Sequence, residues 1–162
     1  MRARPKANLD IRYFDIDGQG YYATKHPVYD NYYVTTCGQV ISLIHSFNRT
    51  TKQPRGTSEP RLLNLVINNA GYQVSSITEG VGQTTTQYVH RLVAETYLES
   101  PDLDDDLKKR KRPSPRNEVN HINGKRHDNR LVNLEWTSRA ENQEHIKLVK
   151  AVRKERRELR NS

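Results

Sequence analysis

The stretch Glu118–His145, EVNHINGKRHDNRLVNLEWTSRAENQEH, constrains this chain more than any other, because it sets two strand signals and a helix start in one short run. Val119-Asn120-His121-Ile122 reads as a strand, and Asn123-Gly124 behind it is a strong reversal signal, since both positions tolerate positive φ. A polar bend from Lys125 to Asn133 leads into Leu134-Glu135-Trp136-Thr137, which alternates apolar and polar residues as a half-buried strand does. Ser138 is placed to cap a helix, and Glu141 three residues on completes a capping box. The predicted unit is strand, strand, helix. On its helix Asn142 and His145 stand three apart and share a face, so the two side chains can meet one ion or one substrate. Neighbouring strand residues point to opposite faces, so the first strand is expected to bend or bulge if Asn120 and His121 are to line one site.

The order Asn120-His121, Asn123-Gly124, Asp128-Asn129-Arg130, Asn133-Leu134-Glu135-Trp136 and Glu141-Asn142 resembles the HNH nucleases, and among them the phage HNH homing endonucleases. Upstream, Tyr29–Leu43 and Val89–Leu98 are similar in wording and order to the segments that precede the nuclease core in those enzymes. The resemblance implies a ββα unit that holds one divalent metal ion against a scissile phosphate of double-stranded DNA. It puts His121 in the general-base role, Asn120 and Asn142 where the family places metal ligands, and Asn133 where a structural asparagine ties the bend together. Imidazole suits the base because its ordinary pKa lies near operating pH. Mg²⁺ is the expected ion, with Mn²⁺ or another transition metal as the alternative. A neutral amide holds a hard cation more weakly than a carboxylate does, and a softer ion would favour His145, so Asn142 and His145 both stand as candidate ligands. Trp136 is expected to be buried. His90 precedes the metal unit and is expected to be structural. Asn123, Asp128 and Asn129 read as turn and cap residues, and His127 as solvent-exposed.

Charge points to the same partner. The net charge is +8, and it is uneven: residues 1–100 hold 10 Lys and Arg against 8 Asp and Glu, whereas residues 101–162 hold 17 against 11. Such a field suits a polyanion, because Lys and Arg displace counterions condensed on a phosphate backbone. The candidate DNA contacts are Lys108, Lys109 and Arg110 in a basic block, and Lys147, Lys150, Arg153, Arg157 and Arg160 along the last helix. Ile146, Val149 and Val152 are expected to form an apolar stripe opposite that basic one. Residues 1–12 read as a flexible basic arm. A single cysteine, Cys37, excludes an internal disulfide and a paired Cys-x-x-Cys zinc site. No long apolar run is present, so the chain is expected to be soluble and intracellular, in the host bacterial cytoplasm if phage-encoded, with no membrane partner.

Turn signals at Asp17-Gly18, Cys37-Gly38, Asn69-Ala70-Gly71 and Gly80-Val81-Gly82 punctuate β-type runs in the first hundred residues. The runs Leu62–Ile67, Tyr72–Thr78 and Thr84–Val89 predict an antiparallel meander, Asn48–Pro60 an exposed loop, and His90–Leu98 a short helix packed on the nuclease unit. The fold class that results is α+β: an N-terminal antiparallel β region over 1–100 that binds DNA, a charged linker over 101–117, and over 118–162 an HNH ββα-metal nuclease unit with a basic C-terminal helix. The predicted function is a metal-dependent DNA endonuclease of the phage homing type. The alternative is a catalytically silent DNA-binding protein that keeps the HNH fold.

Overall fold

In the computed structural model, which describes residues 4–44, 50–51, 59–80, 83–99 and 118–160, the first reversal falls at Asp17 and Gly18, with φ of 54° and 77°. Two successive left-handed residues match the twist of a tight hairpin, and Asp and Gly tolerate that conformation best. The turn joins β1 (Ile11–Ile16) to β2 (Gln19–Lys25). β3 (Tyr32–Thr35), β4 (Val40–Ser42) and β5 (Arg61–Leu62) extend the sheet, each antiparallel to its neighbour, in the order β1-β2-β3-β4-β5. β6 (Val66–Ile67), β7 (Gln73–Gly80) and β8 (Gln83–Tyr88) form a second antiparallel sheet. The run Leu62–Ile67 therefore does not make one strand of a meander. Leu62 pairs with Ile41 in the first sheet and Val66 with Val74 in the second.

Tyr88 leads directly into α1 (Val89–Tyr97), which buries Val89, His90, Leu92, Val93, Ala94, Thr96 and Tyr97. So much burial exceeds what one amphipathic face requires. The helix is packed from more than one side, and one core cluster joins its apolar residues to Tyr32, Val34 and Val40 of the first sheet, Ile77 of the second, and Val119, Leu134 and Trp136 beyond. Burial of each aliphatic side chain there contributes about 1.5–3 kcal/mol. The Tyr97 hydroxyl donates to the Val34 carbonyl and ties helix to sheet. The described part of the N-terminal arm is not free: the Lys6 amide donates to the Tyr97 carbonyl, the Glu99 amide to the Arg4 carbonyl, and Lys6 Nζ to the Glu95 carbonyl. These bonds satisfy backbone groups at the end of α1, which corrects the expectation of a flexible arm.

β9 (Glu118–His121) and β10 (Leu134–Thr137) form a two-stranded antiparallel sheet. A 3₁₀ turn at Leu131–Asn133 precedes β10, and the long helix α2 (Arg139–Arg160) follows it. The register runs without a shift, His121 opposite Leu134 and Asn120 opposite Glu135. The bulge expected at Asn120-His121 is absent. Ser138 starts α2 as a capping box: its amide donates to Glu141 Oε2 at 2.9 Å, and the Glu141 amide donates to Ser138 Oγ at 3.3 Å. Much of Asn48–Pro60, and the whole span 101–117 with Lys108, Lys109 and Arg110, lie outside the described residues. Among the described residues no helix is long and apolar enough to cross a membrane.

Candidate active site

The bend between β9 and β10 is held by asparagine side chains. Asn133 accepts from the Asn123 amide at 2.9 Å and donates through Nδ2 to Asn123 Oδ1 at 3.1 Å and to the Asp128 carbonyl at 2.7 Å. Asp128 is gripped by Arg130 through two 2.7 Å bonds, and that guanidinium holds its carboxyl well below the usual range. At Gly124 the backbone takes φ 68°, and a Cβ there would lie 2.6 Å from Val149 Cγ1. Glycine at this point lets α2 lie directly on the bend. Arg153 donates to the Gly124 carbonyl and His145 Nε2 to the Ile122 carbonyl, so three residues of α2 fasten the helix there.

A cavity of about 370 Å³ opens between the bend, α2 and the turn before β7. Asn120, His121, Asn142 and His145 all line it. Three consecutive residues, Val119, Asn120 and His121, do so together without a bulge. Among the described residues β9 pairs only with β10, so its second edge is free, and a cleft along that edge is open to residues of either face. Lys125, Arg126, His127, Lys150 and Arg153 also line the cleft, and among the described residues no carboxylate does. The lining is therefore strongly basic. Lys150 and Arg153 share it with Ile146 and Val149, so the basic and apolar stripes of α2 meet at the cleft rather than lying on opposite faces. Lys147, Arg157 and Arg160 are exposed. His127 is exposed too, as expected, yet it contributes to the cleft wall.

His121 is 5% exposed and is held from two directions. Its Nε2 lies 3.0 Å from Asn129 Oδ1, and Asn129 donates in turn to Gln73 Oε1 at 2.7 Å. An amide oxygen can only accept, so Nε2 carries the proton and Nδ1 keeps the lone pair. Burial pushes the His121 pKa down from its ordinary value, and the Asn129 bond opposes that shift. The neutral imidazole is thus favoured. His90 packs against it with ring centroids 5.0 Å apart, and Tyr72 lies 5.1 Å from His90 and 6.0 Å from His121. Arg126 stacks on Tyr72 at 4.9 Å and donates to the Ala70 carbonyl at 2.7 Å. Asn129, 2% exposed, is therefore more than the turn residue the sequence suggested. Nothing local in the sequence marks Gln73 at the start of β7, or Tyr72 just before it, as a neighbour of a histidine far along the chain.

The two candidate ligand asparagines have matching environments. Asn120 Nδ2 donates to Glu135 Oε1 at 2.9 Å, and Asn142 Nδ2 donates to Glu118 Oε2 at 2.7 Å. A carboxylate accepts only, so each amide is turned with its oxygen away from the glutamate. His145 commits Nε2 to the Ile122 carbonyl, leaving only Nδ1 to ligate. Two amide oxygens suit a hard ion that keeps some of its waters, so the residues present fit Mg²⁺ or Mn²⁺. Among the described residues no group of three or more His, Cys, Asp or Glu side chains is placed to hold an ion. Trp136 is buried, with the Arg91 guanidinium 5.8 Å from its ring.

Residues 112–144 match the HNH endonuclease family. Over 57 residues the chain is 44% identical to an uncharacterized HNH endonuclease, L247, of Acanthamoeba polyphaga mimivirus; the match covers 35% of this chain and 12% of that protein. The fold is similar to that of the HNH homing endonuclease I-HmuI, in a structure of its DNA binding and cleavage. The TM-score is 0.50 at 24% identity, covering 75% of this chain and 55% of the other. The chain thus spans little of the first relative and about half of the second, and at that identity the second likeness is one of fold.

Proposed function

We propose that this protein is a metal-dependent DNA endonuclease that hydrolyses phosphodiester bonds at the cleft, as a phage-type homing enzyme would. The observation that carries the reading is the meeting of one buried histidine, held through Nε2 by Asn129, and two asparagines in one basic cleft. Asn120 and Asn142 would hold the ion through their amide oxygens. When bound, a divalent ion supplies electrostatic stabilisation to the phosphate and to the departing 3′ oxygen. His121 takes the proton of the attacking water at Nδ1, while the bond from Nε2 to Asn129 keeps the ring oriented. Lys125, Arg126 and Lys150 draw the phosphate backbone into the cleft. His145 clamps α2 to the bend through Nε2, a bond that would also orient the ring if Nδ1 joined the ion.

Double-stranded DNA is the proposed substrate. The β7–β8 hairpin exposes Gln83, Thr84, Thr85 and Thr86, whose hydroxyl and amide groups suit phosphate and base-edge contacts, and the exposed cations of α2 would follow the backbone. On this proposal residues 1–100 read DNA, 101–117 link, and 118–162 form the ββα-metal unit.

The test is incubation of purified protein with phage and plasmid DNA in Mg²⁺, Mn²⁺ or EDTA. Cleavage or nicking that chelator abolishes is expected, and His121→Ala should slow the chemical step by about 10²–10⁴-fold while DNA affinity persists. His121→Ala cutting at the wild-type rate would overturn the assignment of the base.

A further inference from the structure

The cleft presents a problem of charge. Among the described residues its lining holds Lys125, Arg126, Lys150 and Arg153 but no carboxylate, and the two asparagines that fit a divalent ion are neutral. A cation entering such a site meets repulsion from those four side chains. The nearest negative charges tied to the ligand residues stand one hydrogen bond behind them. Glu135 lies opposite Asn120 across the β9–β10 pair and accepts from its Nδ2; Glu118, two residues before Asn120 on the same face of β9, accepts from Asn142 Nδ2.

We propose that Glu118 and Glu135 are the carboxylates of this metal centre, held behind the ligands instead of on the ion. They perform two tasks. Each locks its asparagine with the amide NH₂ turned inward, so that the oxygen remains available; among the described residues neither Oδ1 accepts a hydrogen bond. Each also polarises the amide it accepts from, adding electron density to the ligating oxygen and negative potential to the cleft. The inference rests on the proposed metal site and assigns a positioning role to two residues outside the cleft lining. It also accounts for an asparagine at 120: an aspartate there would set two carboxylates against each other at the 2.9 Å now occupied by the Asn120–Glu135 bond.

The experiment uses the full chain stripped of metal, without DNA, and measures Mn²⁺ affinity from the paramagnetic resonance signal of free Mn²⁺. Glu118→Gln and Glu135→Gln keep shape and remove charge, and thermal melts establish that each variant is folded. Each should weaken Mn²⁺ binding by about 10–100-fold, the usual cost of losing a partner behind a ligand. Cleavage at saturating Mn²⁺ should recover toward the wild-type rate, because the base is untouched; a defect of packing alone would not be rescued by metal. Asn120→Asp alone should bind Mn²⁺ no better than wild type. The pair Asn120→Asp with Glu135→Gln, which moves the charge forward and supplies an amide donor behind it, should bind more tightly than Glu135→Gln. Folded single Gln variants with wild-type Mn²⁺ affinity would overturn this inference and leave the metal site standing. A wild-type protein that binds no Mn²⁺ would overturn the metal site, and the inference with it.

Discussion

Replacing His90 by phenylalanine should flatten the acid side of this protein's stability curve. His90 is 7% exposed, its Nδ1 is buried without a hydrogen-bond partner among the described residues, and the rings of Tyr72, Tyr88 and His121 stand within 5.0–5.4 Å of it. Burial, with smaller contributions from His121 and Arg91, lowers its pKa from 6.5 to about 3. Between those values the unfolded chain takes a proton that the folded chain refuses. The unfolded state therefore binds more protons there, and stability rises with pH across that window and falls on acidification. At about pH 5, roughly 1.5 units below the unfolded value, the loss relative to about pH 7.5 amounts to about 2 kcal/mol. Phenylalanine fills a similar volume, keeps the edge contacts of the ring and has no proton to gain. Urea unfolding followed by Trp136 fluorescence, at the two pH values, measures the effect. Wild type should lose about 2 kcal/mol more than His90→Phe, or about 1 M in midpoint at a slope of about 2 kcal/mol/M. Groups that titrate alike in both proteins cancel in the comparison. Equal losses would show that His90 takes up its proton in the folded state, and that burial does not hold it neutral.

Three other changes test the geometry. Asn129→Ala removes the acceptor that orients His121, so the catalytic rate should fall by about 10²-fold with Mn²⁺ affinity unchanged, and ¹⁵N resonances should report a mixed His121 tautomer; a pure Nε2–H ring at full rate would refute this role. Gly124→Ala puts a Cβ against Val149 in a left-handed conformation and should destabilise the fold by about 1–3 kcal/mol in urea, whereas no change would mean that α2 is not seated on the bend. Ending the chain after Arg153 keeps the bond to Gly124 but removes Lys154, Arg156, Arg157 and Arg160, and the slope of log K against log salt for DNA binding should drop by about 0.9 for each phosphate no longer neutralised. An unchanged slope would take the end of α2 off the DNA.

The strand-strand-helix unit was legible because each of its signals is local. Asn123-Gly124 marks the reversal, Leu134 to Thr137 alternates, and Ser138 and Glu141 cap one another within a single turn. The α+β class and the antiparallel pairing within the two larger sheets followed from turn residues in the same way. Other features failed for a reason that is equally physical. Leu62–Ile67 has uniform β character, so nothing in it tells that its two ends belong to different sheets. The bulge expected at Asn120-His121 assumed a site on one face of a strand, and a cleft along a free edge removes the need for it.

Residue order alone thus settles the inventory and the local frame: a histidine between two asparagines, a glycine at the bend, a capped basic helix and an excess of positive charge. These depend on residues within a few positions of each other, and their energetics are those of turns, caps and alternation. Which nitrogen of His121 is free had to wait for the packed molecule, because that rests on Asn129 and on Gln73 from another sheet. The same holds for Asn120 and Asn142, whose oxygens face outward because their glutamate partners meet them across a strand pair and across a helix-sheet contact. Hydrogen-bond direction is set by whatever group lies opposite, and the opposite group is a property of packing rather than of spacing along the chain.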